Sequence, residues 1–65
     1  MKATYDREVD VLRIRFSEQP VAESDEDEPG VILDYDAEGN IVGIEVIDAS
    51  RRIENPKVME YAITG

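Results

Sequence analysis

The sequence contains no cysteine, no histidine and no tryptophan. Without cysteine, a disulfide staple and a thiolate metal site are both excluded. Without histidine, the usual general base near neutral pH is missing, and so is the commonest transition-metal ligand. Positive charge is scarce too: seven Lys and Arg stand against sixteen Asp and Glu, for a net charge of −9. Such a surface repels phosphate backbones and anionic headgroups, which disfavours direct nucleic-acid and membrane binding. A basic protein would instead be attracted, and its encounter accelerated. No apolar run approaches the roughly 20 residues that span a bilayer. The opening "MKATYDREVD" also lacks the apolar stretch of a secretory signal. The expectation is a cytoplasmic protein of prokaryotic type.

What is present is a chain of 65 residues, enough for a single domain over 1–65 with a thin core. A chain of this size buries only about 60% of its unfolded surface. Strong local structure, or burial against another chain, must supply the rest.

Hydrophobic period then locates the elements. "MKATYD" and "VDVLRIRFSE" read as two strands joined by the polar "DREVD". In the second, Leu12, Ile14 and Phe16 alternate with Val11, Arg13 and Arg15, the period-two signature of a half-buried strand. Pro20 marks an edge or a strand beginning, and Val21–Ala22 offers a short third strand. Glu23, Asp25, Glu26, Asp27 and Glu28 follow as a dense acidic run, predicted to be a solvated loop and closed by Pro29–Gly30. "VILDYD" and "NIVGIEVI" are rich in β-branched residues and form a hairpin around "AEG". A four-residue loop, 37–40, is favoured on burial grounds, because it sets Tyr35 opposite Val42, Leu33 opposite Ile44 and Val31 opposite Val46, for one continuous apolar face. The alternative three-residue loop, with Gly39 in the left-handed conformation, sets Tyr35 opposite Ile41. After Ile47, Asp48 is a candidate N-cap for a helical turn or two through "ASRRI". Asn55–Pro56 then suggests a second helical segment with Val58, Met59, Ala62 and Ile63 on one stripe, although Met59, Tyr61 and Ile63 would alternate equally well in a strand. The fold class is therefore α+β: a small antiparallel β-meander of four to five strands followed by a short C-terminal helix.

The stretch "DYDAEGNIVGIE", Asp34 to Glu45, carries the spacing of a helix–loop–helix calcium site. Its flanks argue against that chemistry. "PGVIL" precedes it, and Gly43 stands where the exit helix should begin, a cost of about 1 kcal/mol relative to Ala. In a hairpin, Asp34, Asp36 and Glu45 lie on the face opposite Leu33, Tyr35, Val42 and Ile44, pointing to water. Asp34 falls across from Gly43, with Glu45 roughly 7–8 Å away on the diagonal. That is too open for an oxygen cage of six to eight ligands. No metal or cofactor is expected. Ser17, Ser24 and Ser50 have no histidine or cysteine partner, so no catalytic constellation emerges and the expectation is not an enzyme.

The segments "YDREVDVLRIRFSEQPVAES" and "GVILDYDAEGNIVGIEVIDAS" resemble domain-of-unknown-function family 2283, small and mostly prokaryotic proteins. The likeness is carried by Tyr5–Asp6, Asp10–Val11–Leu12 and the block Asp34–Tyr35–Asp36…Gly39…Gly43–Ile44–Glu45. It implies a small antiparallel sheet with a short helix. It also implies, for some members, an encoded neighbour that is a toxin and a role as its antitoxin. Charge, missing catalytic chemistry and resemblance together lead to the expectation of an acidic protein-interaction module. It would be antitoxin-like, neutralising a basic partner through Glu23, Asp25, Glu26, Asp27 and Glu28. The alternatives are a structural homo-oligomer without chemistry of its own and, ranked last, a divalent-cation-binding protein using Asp34, Asp36, Glu38 and Glu45.

Overall fold

Alternation of apolar and polar residues produces two hairpins, and the computed structural model, which describes residues 1–65, joins them into one sheet. The strands are β1 (Lys2–Asp6), β2 (Val11–Arg15), β3 (Glu23–Glu28), β4 (Val31–Tyr35) and β5 (Ile41–Ile47), followed by one helical turn, α1 (Ala49–Arg52). Their spatial order is β1-β2-β5-β4-β3, and every pairing is antiparallel. Thus β3, β4 and β5 run as a meander whose last strand pairs back onto β2. The link from β2 to β3 crosses the end of the sheet. It is held there by Phe16 N donating to Val42 O at 2.8 Å and Ala22 N to Tyr35 O at 2.7 Å.

The acidic run is not a loop. Glu23–Glu28 is an edge strand paired along β4, and all six of its side chains are exposed. Val21–Ala22, expected as a short strand, belongs to the crossing segment instead. Composition misled because edge strands place backbone, not side chains, in the ladder. Backbone bonds to β4 hold the segment extended while its carboxylates stay in water.

At the 31–47 hairpin both loop readings are partly right. Leu33 faces Ile44 and Val31 faces Val46, as the four-residue loop requires, yet Tyr35 faces Ile41 and the register shifts between Asp34 and Tyr35. The turn is the three-residue form. Asp36 N donates to Asn40 O, Gly39 N donates to Asp36 O, and Gly39 takes φ 86°. A β-bulge at Val42 reconciles turn and strands by absorbing one residue.

Partners across a ladder share a face, so the pairings assign two surfaces. One carries Leu12, Ile14, Val31, Leu33, Ile44 and Val46, with Tyr5 and Tyr35 toward its margins. The other carries Arg13, Arg15, Ile32, Asp34, Gly43 and Glu45. The arginines face away from Leu12 and Ile14, as alternation predicts.

The C-terminal expectations fare differently. The predicted turn exists as α1, but its cap does not come from Asp48, which is left-handed (φ 55°) and makes no side-chain cap bond. Asp10 caps it from the first hairpin: its carbonyl accepts from Ala49 N at 2.9 Å, and its carboxylate accepts from Ser50 N and Ser50 Oγ at 2.9 and 2.6 Å. Beyond Ile53 there is neither helix nor strand, and Val58, Met59, Tyr61 and Ile63 are exposed. A helical stripe is stabilised mainly by packing its apolar side, and these side chains stay largely in water. No helix is long and apolar enough to cross a membrane. The result is a slab of 34 × 33 × 19 Å with only six buried residues. Four of these are apolar: Val11, Leu12, Val42 and Ala49.

Candidate functional site

The five acidic residues expected to meet a partner are distributed by strand geometry. Glu23 pairs with Tyr35, Asp25 with Leu33 and Glu28 with Val31, so these three flank the apolar face. Glu26 pairs with Ile32 on the polar face, and its carboxylate accepts from Gly30 N at 2.7 Å. Asp27 sits in a second bulge, between Glu26 and Glu28. The charges of Asp27 and Asp25 reach Tyr35. Removal from water first, and then those two carboxylates, hold its hydroxyl above the ordinary tyrosine value. The structure therefore brings Glu23, Asp25, Asp27 and Glu28 together along one margin and turns Glu26 toward the β3–β4 turn. The outer backbone edge of β3 has no strand beside it.

The polar face holds what sequence reasoning missed. Asp34 is expected to point to water; it is instead 5% exposed and accepts a 2.6 Å hydrogen bond from Ser24 Oγ. Gly43 makes this enclosure feasible. A Cβ there would lie 3.1 Å from the Ile14 carbonyl, 3.2 Å from the Asp34 carboxylate and 3.3 Å from Arg15 Cδ. Glu45 sits diagonally across from Asp34, as the register predicts, with the two carboxyl groups on the same face and in electrostatic contact. Burial first, and then the neighbouring Asp34 carboxyl, raise the Glu45 carboxyl above its usual range, with Arg13 opposing. Arg13 Nε lies 3.3 Å from Glu45 Oε1. Arg15 spans the crossing segment by donating to the carbonyls of Ser17 and Gln19 at 3.0 and 2.7 Å. Its Nε is enclosed without a protein acceptor. These residues, with Val21, Ile14 and Ile44, line a hollow of about 300 Å³. The signal available in the sequence was the Asp34–Gly43 opposition itself, since a strand glycine invites a neighbouring side chain to close over it.

Asp36 and Glu38, which complete the calcium-like spacing, serve the turn. Asp36 Oδ1 accepts from Glu38 N and Asn40 N, both at 2.9 Å. The Asn40 amide is the main reason the Asp36 carboxyl sits below its ordinary value. Both flanks of this stretch are strands, so the spacing is that of a hairpin. At the opposite end of the sheet, Tyr5 donates its hydroxyl to Asp10 at 2.6 Å. The Ser50 hydroxyl first, and then Tyr5, depress the Asp10 carboxyl, while the bond to Asp10 raises the tyrosine.

The family described as "Protein of unknown function (DUF2283)" matches residues 2–50. The chain belongs to this family. Comparison with curated proteins and with solved structures gave no match. The geometry accounts for the residues that carry the family likeness: Tyr5 and Asp10 fasten α1, while Asp34, Gly43 and Glu45 close the polar face.

Proposed function

We propose that this protein is an acidic interaction module of the cytoplasm that works by occupying a basic partner, in the manner of an antitoxin, without chemistry of its own. One observation carries the reading: β3 is an extended edge strand with every side chain exposed, four of its carboxylates along one margin and its outer backbone edge unpaired. Such an edge adds a strand to a partner by backbone hydrogen bonds. The carboxylates select for lysine and arginine in that partner and repel another acidic edge. The net charge of −9 extends the same field over the whole molecule and steers the encounter. The partner's basic surface would be one that otherwise meets RNA, and covering it is the neutralising act.

The test is co-purification with the product of the adjacent gene at low and high salt, repeated with Asp25→Lys/Asp27→Lys. Binding that weakens with salt and is lost in the double variant is the expected result. A complex indifferent to both, or a neighbour whose toxicity is unaffected by this protein, would sink the reading.

A further inference from the structure

We infer that the apolar sheet face is the interface of a face-to-face homodimer, with its two-fold axis parallel to the strands. A sheet with one apolar face requires a second layer to cover it, and no element of this chain supplies one. The extensive contacts between elements are all between strands neighbouring within the sheet, and the one helical turn is only four residues long. Ile14, Val31, Leu33, Ile44 and Val46 remain partly exposed in mid-sheet, where a covering layer would bury them. The C-terminal segment, rich in apolar residues, lies away from them, with Val58 at 68% and Ile63 at 86% exposure.

Surface area bounds the size of the occupant. A folded monomer of 7.3 kDa should expose about 4,200 Å² by the scaling of area with mass. This chain exposes 5186 Å². The excess of about 1,000 Å² is shared between the open face and the C-terminal segment, so it leaves room on the face for no more than one standard-size partner surface of ~800 Å². The radius of gyration tells the same story: it is 12.5 Å, against about 11 Å for a compact chain of this length.

A second copy fits this face because its centre is uncharged. Ile14, Val31, Leu33, Ile44 and Val46 form a patch that is complementary to itself, and two such sheets pack about 10 Å apart. The charges sit only at the β3 margin, and they choose the axis. With the two-fold perpendicular to the strands, each β3 would lie over the other and oppose its acids across the ~10 Å gap. With the two-fold parallel to the strands, β3 of one copy lies over β1 of the other. The two β3 strands are then separated by four strand spacings, about 19 Å. That is beyond the ~10 Å screening length at 0.1 M salt. This arrangement also leaves both β3 edges free, so the dimer is independent of the partner-binding proposed above.

Sedimentation of the full chain from micromolar to millimolar concentration should show a dimer. Ile44→Asp, which places a carboxylate at the centre, should raise its dissociation constant by about a hundredfold or more. Asp25→Lys/Asp27→Lys should leave it intact. The cysteine-free background allows a second measurement that does not depend on how Ile44→Asp folds. Ile44→Cys, at the two-fold, should be joined between copies by a thiol-specific cross-linker that spans the ~10 Å between facing sheets, whereas Ile32→Cys, on the polar face, should not. Spin labels at Asp25→Cys should report a separation of roughly 20 Å or more between copies, against roughly 10 Å for the other axis. A monomer at millimolar concentration overturns the dimer, whether the face is covered by the chain's own C-terminal segment or by a basic partner. Preferential cross-linking at Ile32→Cys overturns the face, and a short label distance overturns the axis.

Discussion

The two faces of the sheet are built on the same five strands and treated in opposite ways. On the polar face the functional groups are largely engaged: Ser24 with Asp34, Glu45 with Arg13, and Arg15 with the crossing segment. On the apolar face, Ile14, Val31, Leu33, Ile44 and Val46 lie side by side and remain partly exposed. A domain of this size cannot bury both surfaces by itself. It closes the polar one with hydrogen bonds made by its own loop and leaves the apolar one for another molecule. Stability that is internal to the chain should therefore be concentrated on the polar side, and dependence on concentration on the other.

The sharpest way to break that contrast is Gly43→Val. The new side chain would press on the Ile14 carbonyl, Asp34 and Arg15 together. Overpacking of this kind costs about 2–3 kcal/mol, close to the whole stability of a domain this small. Urea unfolding should find the variant largely unfolded. Full stability would mean that the polar face is looser than its geometry indicates.

Asp34→Ala comes next. It strands the Ser24 hydroxyl, for a loss of about 1–3 kcal/mol. Chemical denaturation measures it, and Asp34→Asn should recover part of the loss by still accepting from Ser24.

Titration separates the polar face from the Asp10 cap. The Glu45 carboxyl is raised in the folded protein, so its contribution is complete below the unfolded pKa and disappears as pH rises through the folded one. The Asp10 carboxyl is lowered, so its contribution is present above the unfolded pKa and disappears as pH falls through the folded one. Unfolding midpoints measured across the acidic range should respond to each residue on a different limb. Glu45→Gln should flatten the decline on the rising-pH side, and Asp10→Asn the decline toward acid. Both effects should be modest, because water screens these groups.

The smallest effect on stability belongs to the β3 margin. Asp25→Lys/Asp27→Lys should shift the unfolding free energy by no more than about 0.5 kcal/mol. A large loss there would show that the acidic strand supports the fold as well as facing outward.

The sequence made the two hairpins legible because alternation survives wherever one face is buried and the other wet, as at Leu12–Arg13–Ile14–Arg15. It hid β3, whose side chains are all in water and so carry no periodic trace of the pairing beneath them. Strand parity puts Asp34 and Glu45 on one face, which was visible; the burial of Asp34 and the bulge at Val42 were not. Bulges follow from the conflict between a three-residue turn and the apolar register, a conflict no single residue announces. The tail failed for a different reason. Met59, Tyr61 and Ile63 satisfy two periodicities, and with these side chains largely in water the chain adopts neither.

Strand order has a consequence for how the molecule is made. The central strand β5 is the last to be synthesised, and it pairs with β2, more than thirty residues earlier, and with β4. On the ribosome the two hairpins must therefore wait for a few seconds with their inner edges bare. A chain halted before Ile41 holds two half-sheets and no strand to join them. Folding completes from the middle outward only when Val42–Ile47 has emerged, and a helper that shields β2 and β4 in that interval would act at the most vulnerable moment of the protein's life.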